Sequence, residues 1–210
     1  QFKPSGDDPS LEMSNFGPYW THELLAYVRS DNGTALPGTS NVQLQLGGVF
    51  YRHTYVSGDA SHAVYTAESI DQPVLSMVTE GASTFFRLTY LDKSTMEFSR
   101  PGTGLNRYYI TKITDPHGQA VNFNYDSEHP RIDTIVDAEF GVFTFGYTNA
   151  DPLKIPSVTD PANVTASFGY DAQGRLNSIT DAVGIVSSFT YKDNAEPTLN
   201  KPHLLATMTT

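Results

Sequence analysis

The chain has 210 residues and a mass of 23.0 kDa, with 13 Lys and Arg against 23 Asp and Glu and a formal net charge of −10. That balance argues against a nucleic-acid or anionic-membrane partner, because both reward clustered cations. Cysteine is absent, which removes disulfides, thiolate zinc sites and cysteine nucleophiles together, and no apolar run is long enough to span a bilayer as a helix.

Tyr and Phe number 12 each, alongside 16 Gly and 13 Pro. Aromatic and β-branched residues suit a pleated, half-buried surface, and Gly and Pro punctuate it with turns. The composition predicts an all-β chain. Gln1 does not initiate translation, so a processed or excised polypeptide is expected. The stretch Trp20–Val28 comes nearest to helical periodicity, yet its alternation reads equally as a strand. His22-Glu23-Leu24-Leu25-Ala26 has Ala where a zincin helix needs its second His, so His22 is read as a surface residue on a strand or short helix. Sequons stand at Asn32 and Asn163.

Val42, Leu44 and Leu46 alternate with Gln43 and Gln45, and Gly47-Gly48 then turns into Val49–Tyr55, predicting a hairpin. Tyr51, Tyr55 and Tyr65 in this irregular half are the aromatics best suited to contact a ligand. His53, His62 and Asp59 form the nearest thing to a metal set, but six scattered histidines produce such a pair by accident, and no metal or cofactor is assigned. Phe86–Tyr90 and Met96–Phe98 flank a turn at Asp92-Lys93-Ser94. Arg100–Gly104 marks a division between an irregular first part, 1–100, and a regular second part, 101–210. Gly102-Thr103-Gly104 is a turn rather than a phosphate loop, since no helix is expected after it. No Gly-x-Ser-x-Gly elbow exists, and no carboxylate pair is nominated for acid–base work, so no catalytic residue is assigned.

The second part repeats itself. Asp115, Asp137, Asp160 and Asp181 lie 22, 23 and 21 residues apart. Phe123, Phe145, Phe168 and Phe189 follow each by eight residues, and Tyr125, Tyr147, Tyr170 and Tyr191 by ten. Ile113, Ile135, Val158 and Ile179 precede each Asp by two, and Ile110, Ile132, Ile155 and Leu176 precede it by five. Each Asp opens a type I turn and hydrogen-bonds its own backbone, which explains it without calcium binding or catalysis. The turn at Asp137 is expected to be wider, since Gly141 arrives one residue late. Phe and Tyr, two apart, share one face of the outgoing strand and are expected to form core rather than a sugar-stacking stripe. The aliphatic pair is three apart, so the incoming strand is either buried on both faces or bulged. Leu205 and Met208 begin a fifth unit, after a looser loop over Asn194–Pro202. That makes the chain look like a piece of a longer array, whose open edges predict self-association.

Tyr170-Asp171-Ala172-Gln173-Gly174-Arg175-Leu176, followed by Ile179-Thr180-Asp181 and Gly184, resembles a YD repeat of the RHS family. Tyr125-Asp126 keeps the dipeptide, whereas Tyr147-Thr148 and Tyr191-Lys192 depart from it, and the resemblance covers about 105–210. The first part is similar to the segment preceding such repeats, with Gly17-Pro18-Tyr19-Trp20 a looser match to its Gly-Trp start. The resemblance implies antiparallel hairpin repeats forming a long curved or spiralling sheet, part of a β-shell. It also implies a structural, non-enzymatic role at the cell surface or in secretion, around a C-terminal toxin or effector domain of the same polypeptide. The remaining repeats and that domain would be its partners. The alternative is a self-contained extracellular module that binds glycans or another protein, through aromatics such as Tyr51 and Tyr55.

Overall fold

A computed structural model describes residues 13–18, 20–31, 40–67, 73–101, 107–192 and 204–209. The sequon at Asn32, the Gly102–Gly104 turn and the loop Asn194–Pro202 lie outside the described residues. No helix occurs among them. Among the described residues, sixteen strands follow one another in a single sheet, each antiparallel to its predecessor. The first eight are β1 (Tyr27–Ser30), β2 (Val42–Leu46), β3 (Val49–Gly58), β4 (Ala63–Ala67), β5 (Val74–Glu80), β6 (Ser83–Thr89), β7 (Thr95–Ser99) and β8 (Arg107–Thr114). The second eight are β9 (Ala120–Tyr125), β10 (Ile132–Val136), β11 (Val142–Gly146), β12 (Ser157–Thr159), β13 (Thr165–Tyr170), β14 (Leu176–Thr180), β15 (Val186–Lys192) and β16 (Leu204–Thr209). Pairing runs unbroken from β7 to β8 across the 100/101 division.

Strand β8 is forked. Its Arg107–Tyr109 stretch pairs with β1, whereas Lys112–Thr114 pairs with β9. The β1–β8 contact closes the first eight strands into a ring, and from the fork the sheet continues as an open strip, β9–β16. Side chains alternate around the ring as the pleat requires. In β4, Ala63 and Tyr65 point inward while Val64 and Thr66 are exposed. Tyr27, Leu44, Leu75, Met77, Phe86, Leu88 and Phe98 fill the interior. Phe86 meets Tyr65 at 5.8 Å and Tyr108 at 4.9 Å between ring centroids.

The β2–β3 hairpin forms over Gly47-Gly48 with φ of 54° and 82°, the positive pair that a two-residue turn of this hand needs. The Asp92–Ser94 turn joins β6 to β7, with Tyr90 N–H donating to the Ser94 carbonyl and Lys93 at φ 76°. Of the Trp20–Val28 stretch, only Tyr27 and Val28 belong to a strand. The residues before them cross the strip instead. His22 is half-buried in a turn, against Phe16 and the Ser14 carbonyl, rather than on a strand or helix.

Candidate functional site

Each repeat unit is one hairpin, and its Asp closes the turn. Asp115 Oδ1 accepts from the His117 and Gln119 amides, both at 2.8 Å. Asp137 Oδ1 accepts from Glu139 and Gly141, and Asp181 Oδ1 from Val183 and Ile185. Asp160 Oδ1 accepts from Val164. Asp171, at the connection before the fourth unit, does the same with Gln173 and Arg175. Backbone donors favour the ionised carboxylate. The amide of Gln119 and then that of His117 accordingly hold Asp115 below the usual carboxylate range.

The fourth residue of each turn has positive φ: Gly118 at 87°, Asn163 at 65°, Gly184 at 87° and, in the second unit, Phe140 at 67°. The turn at Asp137 is therefore no wider than the others. Phe140, not Gly141, takes the left-handed position, and Asp137 N–H still reaches the Gly141 carbonyl at 2.9 Å. A non-glycine residue there carries steric strain, and the Phe140 ring is 85% exposed.

The three-residue step between the aliphatic columns is a bulge. Ile132 pairs with Tyr125 but Thr134 pairs with Asn124, leaving Asp133 as the extra residue. Thr111 and Asn177 are extra in the same way in the first and fourth units. The bulge turns both aliphatic residues to the face that carries Phe and Tyr. Ile110, Ile132, Ile155 and Leu176 are buried, as are Phe123, Phe145 and Phe189, while Phe168 is half-buried.

The four tyrosines share one contact. Tyr125 and Tyr147 donate their hydroxyls to the carbonyls of Ile110 and Ile132, each 15 residues earlier, at 2.8 Å. Tyr170 and Tyr191 reach Ile155 and Leu176 in the same way. Burial disfavours the phenolate, so Tyr147 is pushed up to about 12 and Tyr125 and Tyr170 also titrate high.

One column escapes notice in the sequence. Arg131, Lys154 and Arg175 immediately precede the first aliphatic residue of their units. Arg131 and Arg175 each stack 4.6 Å from the centroid of their own unit's tyrosine, and Lys154 lies 5.2 Å from that of Tyr170. Each also pairs with an aspartate of the preceding connection, Asp126, Asp151 or Asp171. The signal is a cation three to five residues after an Asp, but unequal connection lengths conceal its alignment. In the first unit Tyr109 takes the position and packs on Tyr125.

The N-terminal segment supplies acceptors to the amides of the first aliphatic column. Ile110 N–H donates to the Ala26 carbonyl at 3.0 Å, and Ile155 N–H to the Asn15 carbonyl at 2.9 Å. Ile132 N–H donates to Ser14 Oγ at 2.7 Å. Because the Tyr147 proton goes to the Ile132 carbonyl, Ser14 donates its own hydroxyl proton to Tyr147 at 2.6 Å. Farther along, Phe16 packs on Phe168 at 4.6 Å, and Trp20 packs on Phe189 and donates Nε1–H to Tyr191 at 2.7 Å.

Of the aromatics proposed for ligand contact, Tyr65 is 1% exposed and belongs to the ring core, because the β4 pleat turns it inward. Tyr55 is half-buried beside it and donates to the Gly58 carbonyl. Tyr51 lines a cavity of about 210 Å³ with Leu44, Leu46, His53, Leu88 and Tyr90. His53 is buried and pairs in register with Ala67, at the end of the β3–β4 pairing away from the His62 turn, so the two histidines do not converge. Asp59 instead caps the Ser61 and His62 amides. No cluster suited to a metal occurs among the described residues.

A sheet built from successive hairpins with the same Asp, Phe, Tyr and aliphatic positions defines a β-hairpin-repeat protein. Residues 157–186, from β12 into β15, match the family model described as RHS Repeat, so this stretch of the chain carries an RHS-type repeat. Such repeats are structural rather than enzymatic, and proteins that carry them are generally extracellular or on the cell surface. No curated protein matches the chain.

Proposed function

We propose that this chain is a stretch of shell wall that encloses or presents a C-terminal effector domain of the same, longer polypeptide, outside the cell or at its surface. Its work is mechanical: strand pairing and aromatic packing build the wall, and no catalytic role is assigned to it. One observation carries the reading. The β15–β16 pair places Phe189 opposite Met208 and Tyr191 opposite Leu205, matching Phe168 opposite Ile179 and Tyr170 opposite Leu176 one unit earlier. The far side of β16 has no partner strand among the described residues. Such an edge is a template for the next strand, and further hairpins of the same polypeptide are its natural cover.

Sequencing the natural polypeptide past Thr210 tests enclosure. Further Asp-to-Tyr units leading to an unrelated domain are expected, whereas a chain that stops there has too few hairpins to close a cage. Sedimentation tests the edge. The 210-residue chain is expected to self-associate as concentration rises, and Met208→Lys, which places a charge on the edge strand, to reduce that association. Two monodisperse monomers at high concentration would count against an adhesive edge.

A further inference from the structure

The N-terminal segment does more than abut the repeats; its residues meet successive repeat units in turn. Ser14 and Asn15 are polar yet only 0% and 3% exposed, and each has a partner more than a hundred residues away. The backbone of Asn15 forms a parallel bridge to the connection between β11 and β12, donating to the Leu153 carbonyl and accepting from Ile155 N–H, both at 2.9 Å. The Asn15 side chain holds this kink. Its Nδ2 donates to the Met13 and Leu153 carbonyls, and its Oδ1 accepts from Gly17 N–H. Gly17 sits at φ +81°, and a Cβ there would collide with the Gly174 carbonyl. Trp20 then occupies the surface of Phe189 and Tyr191.

The receiving surface belongs to the repeats and not to the segment. Bulges recur at the first aliphatic column, at Ile132 and Leu176, and the N–H groups of Ile132 and Ile155 in that column find acceptors in this segment. Buried donors of that kind demand acceptors, and a row of them along successive units is the chemistry that binds an extended polypeptide. We propose that the rim of the repeat strip formed by Ile132, Tyr147, Leu153, Ile155, Gly174 and Tyr191 is a peptide-binding groove. Its occupant is a Ser-Asn-aromatic-Gly segment ending in Trp, held here in cis by residues 13–18 and 20, and the groove accepts the same segment supplied in trans. Tethering gives the resident segment an effective concentration on the order of millimolar, which is the concentration a free peptide must rival.

Trp20 is the chain's one tryptophan, so its emission reports occupancy. The first test uses Gly17→Val in the full chain. The sheet signal in circular dichroism should persist while Trp20 emission moves to the red. A labelled synthetic peptide of residues 12–22 should then bind the variant at least tenfold more tightly than the unaltered chain. The same peptide carrying Asn15→Ala and Gly17→Val should lose at least tenfold in affinity. A red-shifted Trp20 with no peptide binding, or a variant whose Trp20 emission does not move, overturns the proposal. Should Gly17→Val lose its sheet, the unaltered chain is titrated to several millimolar with the peptide carrying Trp20→Phe. Displacement must shift the chain's Trp20 emission to the red, and an unchanged spectrum at the highest concentration overturns the groove.

Discussion

The ring β1–β8 and the strip β9–β16 solve the same problem differently. Both are antiparallel sheets with an apolar face that must be kept from water. The ring covers that face by curling until β1 meets β8, so its core side chains face one another across the interior. The strip does not curl shut, and part of its cover is the N-terminal segment laid across it from Ser14 to Trp20. Closure buries the ring's large aromatics such as Phe86 completely, whereas in the strip the aliphatic residues Ile132 and Ile155 are fully buried but Phe168 and the four repeat tyrosines are only half-buried. A repeat that cannot close on itself depends on its neighbours and on any segment that lies across it.

Truncating the two cores should show the difference most strongly. Phe86→Ala leaves a cavity among Tyr65, Tyr108 and the ring aliphatics, and is expected to cost about 3–5 kcal/mol in chemical denaturation. Phe168→Ala removes a half-buried ring against Phe16, and should cost clearly less. Equal losses would mean that the strip is as enclosed as the ring.

Alkaline titration comes next. Tyr65 in the ring and Tyr147 in the strip are both pushed up to about 12, chiefly by burial. A raised folded-state value means that the native protein keeps protons the unfolded chain has released. Their contribution is therefore intact below pH about 10, the unfolded value, and is lost as pH rises from there toward 12. Denaturation midpoints should fall across that window, in step with tyrosinate absorbance. A midpoint that stays flat to pH 11.5 would contradict the burial of these phenols.

Tyr147→Phe isolates the polar link between segment and strip. It deletes the donor to the Ile132 carbonyl and the acceptor for Ser14, an expected loss of about 1–2 kcal/mol. Ser14→Ala removes part of the same network, so the double variant should be less destabilised than the sum of the two singles. Strict additivity would show that the two hydroxyls do not cooperate. The smallest effect is a gain. Phe140→Gly relieves a left-handed aromatic at φ 67°, and should stabilise by about 0.5–1 kcal/mol. Destabilisation would indicate that the exposed ring makes a contact in the folded protein.

Much of the strip was legible in the sequence because its determinants are local. The Asp of each turn binds amides two to four residues on, and the Phe-x-Tyr step follows the pleat. The three-residue aliphatic step required either burial on both faces or a bulge, and the register decides for the bulge. The sequence predicts a wider turn at Asp137 because glycine usually marks the left-handed position, whereas the hydrogen-bonding frame around Asp137 places Phe140 there. The cation column went unseen because Asp126, Asp151 and Asp171 stand at three different distances from Arg131, Lys154 and Arg175. Tyr65 was offered as an exposed aromatic because nothing local reveals which face of β4 a closed ring turns inward.

By itself the sequence determined the all-β class, the hairpin unit, its turn residues and the face that carries the aromatics, since each depends on neighbours within one hairpin. Only the tertiary structure decided three further matters: that β8 forks between β1 and β9, that the first eight strands close, and that Ser14, Asn15 and Trp20 cross the repeats. Those contacts join residues 78 to 171 positions apart. Periodicity carries no trace of them, because an amide N–H left free by the strand pairing donates to whichever acceptor the folded chain brings to it, from any distance in sequence.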